Sequence, residues 1–82
     1  MFNVAFTDTA EKQLAKLDRS IQERFLNTLE RIRTRPEAYV KRLVGSPHYS
    51  LRVGDYRAIL DIKQEILLIL VLEVGHRSKV YK

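Results

Sequence analysis

Cysteine is absent from this chain of 82 residues. No disulfide staple and no thiolate metal site can therefore form. That usage fits a reducing compartment, and the cytoplasm is the expected location. The opening stretch, MFNVAFTDTAEKQ, has neither a basic start nor a long apolar segment, so it does not read as a signal peptide. Long hydrophobic runs are missing as well. The segment ILLILVL at residues 66–72 falls far short of the ~20 residues that a membrane-spanning helix needs, and no membrane contact is expected. There are three glycines, and they do not form a glycine-rich phosphate loop. The two histidines, His48 and His76, stand in separate segments with no carboxylate pair to complete a metal site. Neither a metal nor a cofactor is expected. Ser50, His76 and Asp55 make a catalytic triad on paper only, because nothing like a nucleophile elbow surrounds the serine. Repeats, low-complexity tracts and linkers are absent too, so residues 1–82 read as one domain.

Charge is present in excess of one sign. The formal net charge is +5 and the isoelectric point about 9.8. A basic surface favours polyanions such as nucleic acid, a ribosome or an acidic partner protein. With 45% hydrophobic and 30% charged residues, the composition is that of a globular domain. A chain this short builds a small core, so a shallow groove is expected rather than a deep pocket.

Residues 2–6 alternate Phe2, Val4 and Phe6, the period of a short strand. A helix follows, with Asp8 as cap and Glu11 as reciprocal partner; Ala10, Leu14 and Leu17 form its apolar stripe. A second helix over residues 21–35 places Ile21, Phe25, Leu29 and Ile32 on one face. Ser20 or Asp18 caps it, and Pro36 ends it. The short connection predicts an antiparallel helical hairpin. From Tyr49 the period becomes two. Gly54-Asp55 fits a type II′ turn between two strands, and Lys63-Gln64-Glu65 is the next turn. Residues 66–74 read as a central strand covered on both faces. The order β-α-α-β-β-β predicts an α+β fold, a helical hairpin packed on a small twisted antiparallel sheet.

The turn at Gly54-Asp55 sets Arg52 opposite Arg57. Two like charges facing each other across a ladder are destabilising unless they splay or share an anion. Guanidinium forks match phosphate oxygens, so a phosphate clamp is one reading and a pair of solvated arginines the other. A turn at Gln64-Glu65 pairs Leu72 with Arg57. His76 and Arg77 then emerge at the same end of the sheet, and the tail with Lys79, Tyr81 and Lys82 reaches back over that face. Cations, a phenol and an imidazole suit metal-free phosphoryl transfer: a base takes a proton from a 2′-hydroxyl, fixed cations stabilise the phosphorane and an acid protonates the leaving 5′-oxygen.

The stretches LRVGDYRAILDI and VLEVGHRSKVYK resemble the carboxyl half of the RelE branch of the RelE/ParE toxin superfamily. KRLVGSPHYSLRVGDYR is similar to its K-x-L-x-G and Y-x-x-R stretch, in which Leu43 and Gly45 look structural. The resemblance covers essentially the whole chain. It implies a toxin of a type II toxin–antitoxin pair that cuts mRNA in the ribosomal A site, with a RelB-like antitoxin as partner. It also implies roles. Arg57 holds the scissile phosphate, Arg77 is a second catalytic arginine acting as transition-state stabiliser or acid, and Tyr81 matches the family's general base. Beside these, Arg52, Ser50, His76, Lys79 and Lys82 are the candidate RNA-binding residues. Arg52 stands where family members carry a lysine, and Ser50 departs from the second lysine that some of them have. The superfamily also contains gyrase poisons of ParE type, and a RelE fold with weak or lost nuclease activity is a further alternative.

Blander readings accompany these residues. His76 serves equally as an acid or base, a stacking side chain or a solvated loop residue. Tyr49, Tyr56 and Tyr39 read as packing. Lys41 and Arg42, with the Arg33-Thr34-Arg35 run, read as solvated surface that can touch ribosomal RNA. A helix face or a sheet edge is the expected seat of an antitoxin segment.

Overall fold

The structure is a computed structural model, and it describes residues 1–76 and Ser78. Its elements run β1 (Asn3–Phe6), α1 (Asp8–Ala15), α2 (Arg19–Arg31), β2 (Lys41–Arg42), β3 (Tyr49–Val53), β4 (Tyr56–Lys63) and β5 (Leu68–His76). The strands form one five-stranded sheet in the order β1-β5-β4-β3-β2. The fold is α+β, as expected, but the sheet is mixed. Strands β2 to β5 pair antiparallel, whereas β1 pairs parallel with β5. A parallel pair needs a long crossover, and the helical hairpin is part of that connection. The very short β2 had no pattern of its own in the sequence.

The helices cover one face of the sheet. Ala10 of α1 and Phe25 and Leu29 of α2 pack with Leu51, Val53, Ala58, Leu60, Ile69, Val71 and Val74, all buried. Tyr49 and Tyr56 pack against this core, as their alternation predicts. Tyr39 does not: it is 53% exposed. Nor is β5 covered on both sides, since Leu68, Leu70 and Leu72 are only half-buried.

Two helix boundaries differ from expectation for local reasons. Thr7, not Asp8, caps α1, its Oγ1 accepting the Ala10 N–H at 3.1 Å. Asp8 lies in the first turn, where a carboxylate favours the helix N-terminus. Helix α2 starts after Asp18, whose side chain makes no capping bond, and stops at Arg31, well short of Pro36. Beyond it, β1 claims the chain. Phe2 N–H donates to the Arg33 carbonyl at 2.9 Å, and Arg33 Nε donates to the Phe2 carbonyl at 2.7 Å. Arg33 is thus structural.

The turn register holds on one side of β4 and shifts on the other. Val53 faces Tyr56 and Arg52 faces Arg57, with Gly54 at φ 61° as a type II′ turn requires. The turn after Lys63 is longer than expected. A 3₁₀ turn spans Gln64–Ile66, and Leu67 follows at φ 51°. A bulge between Ile59 and Leu60 then leaves Leu72 without a direct partner. Arg57 therefore faces Gly75 rather than Leu72, and Tyr56 faces His76. The extra residue also exchanges faces: Ile69 and Val71 are buried before it, and Val74 after it.

Beyond Thr7, whose N–H donates to the Val71 carbonyl at 3.0 Å, side chains of Thr7 and α1 take over the hydrogen bonds to β5. Thr7 Oγ1 donates to the Leu72 carbonyl at 3.0 Å, and Val74 N–H donates to Gln13 Oε1 at 2.7 Å. Gln13→Leu is expected to leave a buried amide unpaired and to cost about 1–3 kcal/mol. A urea melt together with amide exchange at Val74 checks this; an unchanged midpoint and unchanged exchange would exclude it.

Candidate functional site

Two basic depressions flank the β3–β4 hairpin. The first is a groove of about 500 Å³ on the face away from the helices, lined by Lys41, Arg42, Leu43, Val44, Ser50 and Arg57. Pairing builds it. Lys41 lies opposite Ser50, Ser50 opposite Ile59, and Arg57 two residues along β4 on the same face. Arg57 is half-buried, with its Nε shielded from solvent. A guanidinium held in a partly desolvated groove interacts more strongly with a phosphate than one free in water. Lys41 is exposed and makes no ion pair with a carboxylate among the described residues. Arg42 is occupied elsewhere: its guanidinium carbon lies 5.8 Å from the centre of the Tyr49 ring, and its Nε reaches the Ser46 carbonyl at 3.4 Å.

Arg52 leaves this groove. Although it faces Arg57 across the ladder, its Nε donates to the Gly54 carbonyl at 3.0 Å. It lines a second cleft of about 350 Å³, between the turn and α2, with Arg24, Asn27, Thr28 and Arg31. The two like charges have splayed, as cross-strand repulsion favours.

His76 emerges at the expected end of the sheet but on the helix side. Its ring meets Tyr56 edge-on at 5.5 Å, and Tyr56 meets Phe25 edge-on at 6.3 Å. Nδ1 of His76 lies 3.3 Å from the Ser78 backbone nitrogen and 2.9 Å from Ser78 Oγ. His76 is exposed, and Gln13, Lys16 and Leu17 line the depression beside it. Of the other residues singled out in the sequence, Ser50 and Arg57 share the first groove and Arg52 faces the second cleft. Arg77, Lys79, Tyr81 and Lys82 lie outside the described residues. Among the described residues no three His, Cys, Asp or Glu side chains gather as a metal site would require.

Lys41 and Arg42 are the groove residues that sequence reading left as surface. Their place depends on a two-residue strand docking beside β3, and two residues carry no readable period. Arg24 and Arg31 were unremarked for a similar reason: their helical stripe is legible, but not which turn it would face.

Comparison with known proteins agrees with this architecture. The profile of the family described as ParE toxin of type II toxin–antitoxin system, parDE, matches residues 4–81. An Escherichia coli protein classed by likeness as a RelE-like toxin is 30% identical over 81 residues, covering 95% of this chain and 85% of its own. A chain of the Mycobacterium tuberculosis toxin–antitoxin complex RelBE2 superposes with a TM-score of 0.83 at 28% identity, covering 95% of this chain and 93% of that one. The isolated Escherichia coli RelE toxin superposes with a TM-score of 0.81 at 27% identity, covering 99% of this chain and 92% of that one. With a helical hairpin on a mixed sheet and a family profile matching nearly its whole length, the chain belongs to the RelE/ParE superfamily of type II toxin–antitoxin toxins.

Proposed function

We propose that this toxin is a ribosome-dependent endoribonuclease that needs no metal and cleaves mRNA in the A site. The observation that carries the reading is the groove where Arg57, Ser50 and Lys41 converge on one sheet face. Arg57 would bind a non-bridging oxygen of the scissile phosphate and stabilise the charge that grows on the phosphorane. Lys41 would hold the neighbouring phosphate as a point charge, and Ser50 would donate a hydrogen bond between them. A base removes the 2′-hydroxyl proton, the 2′-oxygen attacks phosphorus, and the bond to the 5′-oxygen breaks as that oxygen is protonated. The products are a 2′,3′-cyclic phosphate and a 5′-hydroxyl. The family resemblance assigns Tyr81 the role of base and Arg77 that of transition-state stabiliser or acid. A groove this shallow orients a flexible strand poorly, so presentation by the ribosome would supply much of the rate.

The reading places the protein in the cytoplasm with a RelB-like antitoxin as partner. Solved relatives that are RelB–RelE complexes support the partner, and no helix among the described residues is long and apolar enough to cross a membrane. The second reading is a ParE-like poison of gyrase, favoured by the description of the matching family.

Primer extension on mRNA loaded on purified ribosomes tests the proposal. Wild type is expected to cut within the A-site codon. Lys41→Ala is expected to slow single-turnover cleavage about tenfold with no change in melting temperature, the loss of one charge-assisted contact of roughly 1.4 kcal/mol. Folded wild type that leaves the mRNA whole while DNA replication stalls in cells would replace this reading with the gyrase one.

A further inference from the structure

The second cleft has no part in the chemistry just described, yet it holds three arginines. Arg24 and Arg31, two turns apart, share one stripe of α2, and Arg52 joins them from β3. The two acids of α2 are engaged elsewhere: Glu23 pairs with Arg19 at 3.8 Å, and Glu30 pairs with Arg33 at 2.6 Å. Among the described residues Arg24, Arg31 and Arg52 have no carboxylate within ion-pair distance. The Arg24 guanidinium sits against the turn: a Cβ at Gly54 would stand 2.9 Å from one of its terminal nitrogens. Like charges gathered this way repel one another until an anion enters. Asn27 and Thr28 also line the cleft, with neutral groups that can donate hydrogen bonds.

The cleft and the first groove both border the β3–β4 hairpin: Ser50 and Arg57 line the groove, and Arg52, Val53 and Gly54 line the cleft. A strand of linked phosphates can place one phosphate in each depression, whereas a compact anion would fill one only.

We propose that the cleft between α2 and the β3–β4 turn is a second phosphate-binding site, which holds the backbone of single-stranded RNA outside the scissile position. The proposal rests on the RNA reading above but not on cleavage. It makes the toxin a two-point clamp: Arg57 and Lys41 bind one stretch of the strand, and Arg24, Arg31 and Arg52 bind another.

Fluorescence anisotropy with a labelled 2′-O-methyl RNA of about 20 nucleotides tests it, because that probe lacks the attacking hydroxyl and stays intact. Arg24→Gln/Arg31→Gln is expected to weaken binding about tenfold or more at low salt, and to lower the slope of log K against log salt by about 1.4, the signature of two lost phosphate contacts on a single strand. The charge-matched control Lys12→Gln/Arg19→Gln, with both residues outside the cleft, is expected to bind close to wild type. An unchanged slope in the Arg24/Arg31 variant, an equal loss in the control, or no RNA binding by folded wild type would each overturn the proposal. So would a variant that keeps RNA binding and loses only its antitoxin, which would make the cleft a protein-docking surface. RNA binding that falls as expected in a protein that cuts nothing on the ribosome supports the cleft and removes only the nuclease reading.

Discussion

Arg57→Ala is expected to slow single-turnover mRNA cleavage on the ribosome by about 10²–10³-fold, the range lost when one preorganised donor to a developing oxyanion is removed. Three placements set that expectation. Arg57 is on a central strand, it is half-buried, and it borders the same groove as Ser50 and Lys41. A cation held on a rigid strand needs no reorganisation as charge builds on the phosphate, which a solvated lysine on a mobile loop cannot match. Arg57→Lys should recover part of the loss. It restores the charge without the planar fork, so the rate should lie between alanine and wild type. Primer extension gives the rate, and a thermal melt of each variant separates chemistry from folding. Cleavage at the wild-type rate by a folded Arg57→Ala protein would remove this arginine from the chemistry. A large drop in its melting temperature would make the residue structural instead.

Phe25→Ala carries the largest expected effect on stability, about 3–5 kcal/mol. The ring is 0% exposed and lies between α2 and the sheet. A domain of this size is stable by only about 4–12 kcal/mol, so the substitution removes a large share of the margin. Damage should extend beyond the cavity. Phe25 supports the edge of Tyr56, and Tyr56 supports His76, so the end of β5 should loosen with it. A urea melt is expected to show the midpoint falling by more than 1 M, given a slope of roughly 1–3 kcal/mol per molar for a small protein. A shift below about 0.5 M would mean that the neighbouring side chains collapse into the space and that Phe25 is not the keystone of the helix–sheet contact.

The sequence by itself settled the parts of this protein that depend on neighbours along the chain. Alternation from Tyr49 onward gave β3 and β4, and Gly54-Asp55 gave the turn between them, because a type II′ turn fixes the pairing of the residues on either side. Arg52 facing Arg57 follows from that turn alone. The helical stripes of Phe25 and Leu29 likewise declared which face is buried. The absence of cysteine and of clustered ligands limited the chemistry before any coordinate was known. The signature stretches around Tyr56-Arg57 and Gly75-His76 pointed to the toxin superfamily for the same reason: they are local.

What only the tertiary structure decided is where distant segments meet. The parallel pairing of β1 with β5 joins residues more than 60 positions apart, and no local pattern encodes which edge a first strand will take. The bulge at Leu72 inserts one residue into a ladder whose side chains alternate with period two, so it turns His76 toward the helices. Apolar residues read the same before and after it, which hides the shift from a periodicity argument. Lys41 enters the groove through a strand of two residues, too short to carry a period. Arg24 and Arg31 face the turn only because α2 packs across the hairpin at that angle. Each of these outcomes is fixed by core burial between elements, a property of surfaces in contact rather than of residues in order.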